Sequence, residues 1–154
     1  MSAPLHGLHV LITRPVQQAA AAQQLFAAAG AQVSLLPVLE ITALDTAQNR
    51  QQLAGIPDTD LLVFISANAV EKGLRLARAV LDAPSFNRYL LRQYPLAHPH
   101  DPRPRIAAIG KKTATALNSG QVPVDFQPQH GFTSEDLLAL PGACRPHRCR
   151  AGKC

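Results

Sequence analysis

The sequence predicts an α/β fold with a parallel sheet, and two observations support this prediction. First, apolar segments of strand length, at 9–13, 60–65 and 105–110, alternate with segments of helical periodicity. Second, the segment 9–13 is β-branched and apolar on both faces, as expected for a strand that is buried between helices.

The first half of the chain reads as strand, helix and extended segment. The helix is predicted between Pro15, which suits a first helical turn, and Gly30, which suits a C-terminal cap. The stretch 32–41 is extended and interrupted by Pro37, which favours a sheet edge or a crossing point. The stretch 45–48 has the offset of a capping box that begins at its aspartate.

The second half repeats the pattern. A helix is predicted over 66–80, opened by capping residue types, and another follows the strand 105–110 and is closed by Gly120. The stretch 133–136 is predicted to cap a last short helix. Between these elements, the Pro- and His-rich stretch 81–104 is interpreted as a surface loop that follows a possible short helix.

Charge does not favour a nucleic-acid binder. Up to Leu140 the chain has 11 Lys/Arg and 10 Asp/Glu, whereas the residues from Pro141 onward have four basic residues and no acidic one. The formal charge of +5 therefore comes mostly from the tail, and a basic tail on a neutral body is weak support for nucleic acid. A nucleic-acid binder remains a minor hypothesis that rests on the tail alone.

Targeting signals and cysteine usage favour a cytoplasmic, soluble protein. The start lacks the basic region of a signal peptide, and no apolar run approaches the length of about 20 residues that crosses a bilayer. The body before the tail has no cysteine, which fits a reducing compartment.

The tail, 142–154, contains all three cysteines, Cys144, Cys149 and Cys154, among arginines. Their spacing lacks the close cysteine pair of common zinc sites, so we expect no metal site there. The tail is interpreted as unstructured or as the product of a shifted reading frame.

Three strand ends carry residues suited to an anionic ligand. Arg14 follows the first strand, Ser66 and Asn68 lie between a strand and a helix, and Gly110 opens a helix whose first turn includes Thr113. Ligands of open parallel sheets bind outside the carboxyl ends of the strands, where helix N-termini present unpaired amides. The residues alone therefore predict a site for an anionic small molecule.

The candidate binding residues also have structural explanations. For each residue, the binding role and the structural role remain open. The structural explanations are helix capping for Ser66, Asn68, Thr133 and Ser134, a tight turn at Gly110, solvation for Lys111 and Lys112, and an ion-paired role for Arg14.

The segments "VLITRP", "FISANAV", "AIGKKTATAL" and "FTSEDLLAL", in this order, resemble the uroporphyrinogen-III synthase family over about residues 8–140. The resemblance implies an enzyme that closes the linear tetrapyrrole hydroxymethylbilane to uroporphyrinogen III, with loss of water and inversion of the last ring. It implies neither a metal nor a cofactor. It also implies a flavodoxin-like, two-domain parallel-sheet architecture in which one domain is inserted into the other.

The resemblance divides the chain into four parts. Residues 1–31 would be the opening strand and helix of a discontinuous first domain, 32–41 a linker, 42–141 the inserted α/β domain and 142–154 the tail. The remainder of the first domain would be absent, and with it the tyrosine to which the family's proton-donor role is assigned. We therefore expect little activity. Tyr89 and Tyr94 match no family tyrosine, so the catalytic residue is unknown.

The resemblance makes hydroxymethylbilane the expected partner, with neither nucleic acid nor membrane. The family is expected to be monomeric, while this chain could self-associate through 1–31. A non-enzymatic flavodoxin-like domain that binds an anionic small molecule is the alternative. The expected substrate-binding residues are Arg14, Ser66, Asn68, Gly110, Lys111, Thr113, Thr133 and Ser134.

Overall fold

The structure, a computed structural model, describes residues 3–93 and 103–143. The chain divides into two compact units, Met1–Thr42 (unit 1) and Ala43–Cys154 (unit 2). Both contain parallel strands and helices, which confirms the α/β prediction at the level of mixed helices with parallel sheet.

Unit 1 is a single strand–helix–strand element. Strands β1 (His9–Ile12) and β2 (Gln32–Leu35) are parallel and joined by helix α1 (Val16–Ala28), for which Pro15 is the N-cap. Their register pairs His9 with Gln32 at one end and Ile12 with Leu35 at the other. The first four residues of the predicted linker 32–41 therefore belong to the sheet of unit 1.

Strand β1 is covered on one face within unit 1. Ile12 of strand β1 and Ala19 of helix α1 are both buried. Leu11, which points to the other face of the strand, is 55% exposed. One face of strand β1 is therefore left open within unit 1, because a single helix covers only one face of a sheet. Other exposed apolar residues of unit 1 include Leu8, Leu25, Leu36, Val38 and Leu39. Self-association through them stays a prediction.

The described part of unit 2 has two parallel strands, β3 (Leu61–Phe64) and β4 (Arg105–Ala108), paired from Leu61 with Arg105 to Phe64 with Ala108. An isolated parallel bridge joins Ala107 to Phe126. The helices of unit 2 are α2 (Ala47–Ala54), α3 (Ala67–Val80), α4 (Ala83–Phe86), α5 (Lys111–Ser119) and α6 (Ser134–Leu138), with a 3-10 turn at Ile56–Asp58 and a π-helical turn at Asn87–Leu91.

The core of unit 2 lies on both faces of strand β4. Ile106 and Ala108 pack with one buried cluster, which includes Leu74 of helix α3 and Leu117 of helix α5. Ala107 and Ile109 pack with Leu137 of helix α6 in a second cluster. This alternation follows from the two-residue period of a strand, and it explains why the segment is apolar throughout.

The predicted cap of helix α2 is displaced by one residue. Thr46, not Asp45, is the N-cap, and its Oγ1 accepts a hydrogen bond from the Asn49 amide at 3.2 Å. Asp45 instead accepts two hydrogen bonds from the Arg50 guanidinium, at 2.6 and 2.7 Å. The caps predicted for the later helices are confirmed: Ser66 caps helix α3, and Thr133 and Asp136 form a capping box on helix α6.

The stretch after helix α3 is more than a surface loop. Phe86 of helix α4 and Leu90 of the π-helical turn are buried in the core, and Tyr89 packs against it. The possible short helix of the prediction is confirmed as helix α4, whereas the loop interpretation is wrong for the π-helical turn, because Leu90 packs in the core. Tyr94, with 95–102, lies outside the described residues.

An ion pair joins Arg92, which follows the π-helical turn, to Asp125, which lies in the segment after helix α5. The Arg92 guanidinium donates two hydrogen bonds to the Asp125 carboxylate and one to the Pro104 carbonyl. Asp125 also accepts a hydrogen bond from the Ile106 amide at 2.7 Å. Burial alone would raise the pKa of Asp125, but these hydrogen bonds and the charges of Arg92 and Arg105 outweigh it and lower the pKa.

Membrane-spanning helices and metal-binding clusters are both absent from the described part of the chain. None of the helices in 3–93 and 103–143 is both long and apolar enough to cross a bilayer. The same residues contain no group of three or more His, Cys, Asp and Glu side chains that could hold a metal ion. The tail cysteines lie outside the described residues, so the expectation about a metal site in the tail stays a prediction.

Replacing Gly73 by alanine should stabilise unit 2 by about 0.5–1 kcal/mol, because glycine in a helix interior is unfavourable. The new methyl group would meet Phe64 Cε1 at an ordinary 3.6 Å, beside an apolar cavity of about 170 Å³. Denaturant unfolding measures the gain. The matched control is Gly131→Ala, which should destabilise because Gly131 has φ +77° and its added carbon would overlap the Asp136 carboxylate. A loss of stability in Gly73→Ala would contradict the packing described here.

Asp125→Ala should lower the free energy of unfolding at neutral pH by about 1–3 kcal/mol, since it leaves Arg92 and the Ile106 amide without their acceptor. The folded-state pKa of Asp125 is lowered, so its stabilisation is present above the unfolded pKa and is lost as the pH falls through the folded value. The difference in the free energy of unfolding between wild type and variant should therefore narrow below about pH 4. Urea unfolding at several pH values measures the gap. A gap of equal size under acidic and neutral conditions would contradict the assignment.

Candidate functional site

The candidate site of unit 2 is the edge of the sheet at which strands β3 and β4 end. Phe64 and Ala108 are the last paired residues, and the Ile109 amide donates a hydrogen bond to the Phe64 carbonyl at 3.1 Å. Ser66 and Gly110 each follow their strand by two residues and are the N-caps of helices α3 and α5. Because the strands are parallel, the N-termini of both helices lie at the same edge.

Ser66 opens helix α3 as a capping residue. Its backbone is extended, with φ −156° and ψ 159°, and its Oγ accepts a hydrogen bond from the Ala69 amide at 3.1 Å. The hydroxyl keeps its own proton for a further acceptor. The amide of 67 precedes the first intrahelical acceptor, so it has no partner within the helix. Asn68 is half-buried in this first turn and already takes part in an interaction within the protein.

Gly110 opens helix α5 without a side chain over the amides. Its φ of −125° is accessible to any residue, and a Cβ built there would meet no atom within 4 Å. Neither backbone conformation nor packing therefore requires glycine, and the tight-turn explanation does not hold. A glycine cap with open space around its Cβ position, at a helix N-terminus whose first amides lack intrahelical acceptors, is suited to the close approach of a ligand.

Lys111 and Thr113 belong to the first turn of helix α5 but differ in accessibility. Lys111 is exposed, and its Nζ lies 5.9 Å from the centroid of the Phe132 ring. Thr113 is only 4% exposed, so a ligand outside the edge would meet its backbone amide rather than its hydroxyl. The contact between Lys111 and Phe132 places the segment before helix α6 beside the start of helix α5.

Thr133 and Ser134 begin helix α6. Thr133 Oγ1 donates to Asp136 Oδ2 at 2.6 Å, and Asp136 Oδ2 also accepts the Thr133 amide at 2.8 Å. The hydrogen bonds from the Thr133 hydroxyl and amide lower the pKa of Asp136. Thr133 is thus committed to the capping box, while Ser134 is exposed at the first position of the helix.

Arg14 lies in unit 1, two residues after the end of strand β1. It is exposed and occupies the carboxyl end of the β1–β2 sheet, as the sequence predicted. The structure thus brings the predicted residues of unit 2 to one edge of its sheet and places Arg14 at the corresponding edge of unit 1.

Phe132 is a residue of this edge that sequence reasoning missed. It is 40% exposed, and its backbone has φ +62°, which is unusual for a bulky residue. The sequence did offer one signal for it. Phe132 is an aromatic residue between Gly131 and the capping box, and it does not belong to the apolar pattern of any predicted helix or strand.

Comparisons with known proteins give one family. A family model described as uroporphyrinogen-III synthase HemD matches residues 20–148. A curated protein of Methanothermobacter thermautotrophicus (strain Delta H), whose name assigns it provisionally to uroporphyrinogen-III synthase, is 30% identical over 132 residues, which cover 85% of this chain and 46% of that protein.

Two solved structures of uroporphyrinogen III synthase from Thermus thermophilus are also similar, both at 22% identity. The wild-type, native structure (form-2 crystal) has a TM-score of 0.47 and covers 86% of this chain and 46% of its own. The second has a TM-score of 0.42, with coverage of 85% and 46%. This chain thus spans about half the length of the relatives it matches. The family match and the archaeal relative confirm the resemblance inferred from the motifs: the chain belongs to the uroporphyrinogen-III synthase family.

Proposed function

We propose that this chain takes part in the uroporphyrinogen-III synthase reaction, in which hydroxymethylbilane is closed to uroporphyrinogen III with loss of water and inversion of the last ring. Family membership supports the reaction class. The edge of unit 2 supports a carboxylate-bearing substrate, since two helix N-termini and the exposed Lys111 lie there.

The observation that carries the proposal is the paired arrangement of Ser66 and Gly110. Each caps a helix of eight or more residues, and the caps follow adjacent parallel strands whose last residues, Phe64 and Ala108, are paired. Amides and hydroxyls can hold several carboxylates without a strongly basic surface. This agrees with the near-neutral charge of the body of the chain.

Positioning is the catalytic contribution proposed for these residues. A flexible tetrapyrrole must be folded so that its terminal ring is attacked at the substituted carbon, and fixing its carboxylates reduces the entropy lost on the way to reaction. A separate hydrogen-bond donor would assist departure of the hydroxyl. Tyr89 packs against the core of unit 2, which does not favour it for that role. The proposed reaction requires neither metal nor cofactor.

The architecture proposed with this function is flavodoxin-like and two-domain, with 42–141 inserted into a domain that begins with 1–31. In this proposal Arg14 of unit 1 is also a substrate-binding residue. The division of the chain near residue 42 is compatible with it. The cytoplasmic location and the monomeric state of the family stay predictions.

Turnover by this chain alone should be slight, because it spans about half the length of its relatives. Incubation with freshly prepared hydroxymethylbilane, followed by oxidation and chromatographic separation of the isomers, measures it. We expect the type I isomer, which forms by closure without inversion, to predominate. A normal rate of type III formation would contradict low activity, whereas tight binding without turnover would favour the alternative of a non-enzymatic binding domain.

Gly110→Val should weaken binding of a tetrapyrrole octacarboxylate at least about fivefold, because the branched side chain would cover the amides of helix α5. Valine suits the extended backbone and the open space at this position, so the chain should still fold. Because valine is a poorer N-cap than glycine, the free energy of unfolding should fall by about 0.5–1 kcal/mol. Fluorescence titration with uroporphyrin III measures the affinity, and thermal unfolding checks stability. Gly73→Ala, inside helix α3, is the control and should bind like the wild type. Unchanged affinity in Gly110→Val would remove the main support for the site.

A further inference from the structure

We propose that Phe132 is a positioning residue that stacks against a pyrrole ring of the substrate, beside the carboxylate-binding edge. This inference rests on the proposed function. It adds a contact that distinguishes a tetrapyrrole from other polycarboxylates, which helix N-termini alone do not do.

The first support is the way in which Phe132 is held. Gly131 has φ +77°, and a Cβ there would overlap the Asp136 carboxylate, so this position accepts only glycine without rearrangement. Asp136 is itself fixed by the hydrogen bonds from Thr133. The Phe132 amide then donates to the His130 carbonyl at 2.9 Å in a tight turn. The loop therefore presents residue 132 in one orientation.

The second support is that core packing does not explain the residue. Phe132 has a left-handed backbone that disfavours bulky side chains, and its ring stays 40% exposed. Asparagine or glycine would suit this backbone better, and a buried phenylalanine would contribute more to the hydrophobic core. Bulky residues that are held in a left-handed backbone conformation cluster at ligand-binding sites.

The third support is the charge beside the ring. Lys111 Nζ lies 5.9 Å from the ring centroid, within the distance of a cation–π contact, and Lys111 directly follows the open cap Gly110. The neighbourhood therefore combines an aromatic surface, a cation and unpaired amides. A pyrrole ring that carries carboxylate arms has the complementary chemistry: a π-face for Phe132 and anionic groups for Lys111 and the amides.

The test uses variants that separate the ring from the backbone conformation. Phe132→Asn removes the ring but suits a left-handed backbone, so the loop should be kept. Phe132→Tyr keeps the ring. The matched control is Phe26→Ala, which removes a ring of similar exposure, 37%, from helix α1. This control reports on non-specific adsorption of a porphyrin to exposed phenylalanines.

Titration with uroporphyrin III at several salt concentrations is the measurement. We expect Phe132→Asn to weaken binding about fivefold at every salt concentration, because the lost contact is uncharged, while Phe132→Tyr and Phe26→Ala bind like the wild type. Lys111→Met should instead reduce the salt dependence of the affinity for uroporphyrin III, because it removes a charge.

Two results would overturn the inference and leave the proposed function intact: wild-type affinity in Phe132→Asn, or an equal loss in Phe26→Ala. A wild-type chain that binds no tetrapyrrole would overturn both.

Discussion

The parallel pairing of strands β3 and β4 is the constraint on which the candidate site depends. Its register ends with Phe64 opposite Ala108, so that Ser66 and Gly110 follow at equal distances and both helices begin at the same edge. Strand β4 can hold this position because its two faces pack in different clusters, with Ile106 on one side and Ala107 on the other. A shift of one residue in this pairing would exchange the faces of the strand and separate the two caps.

The two caps provide different chemistry at equivalent places. Ser66 satisfies one amide of helix α3 itself and keeps a hydroxyl proton for a ligand, whereas Gly110 leaves the first turn of helix α5 uncovered. Thr133 resembles Ser66 in type, but its hydroxyl is already committed to Asp136. Capping and ligand binding are therefore compatible at Ser66, while the geometry favours a ligand at Gly110 and a structural role at Thr133. Residue type alone does not separate these cases, because the separation depends on which hydrogen bonds each side chain already makes.

The parts of the fold that could be predicted are those that local sequence determines. Strand β4, helix α5 and its cap Gly110 follow from a short apolar run and a glycine, and both signals are contiguous in the chain. The errors arose where a side-chain contact between residues five positions apart decides the conformation. Asp45 was displaced as a cap because Arg50 binds its carboxylate. Phe132 was missed because its conformation depends on the packing of Gly131 against Asp136, and no periodic pattern reports such a contact.

The central claim is that the amides at the starts of helices α3 and α5 bind the carboxylates of a tetrapyrrole. Amide chemical-shift changes during titration of the full chain with uroporphyrin III test it most directly. The account predicts that the amides of 67 and 111–113 shift first, and that their shifts saturate at the same ligand concentration as the shift of the Phe132 amide. Shifts confined to unit 1 or to the basic tail, with these amides unchanged at saturation, would contradict it.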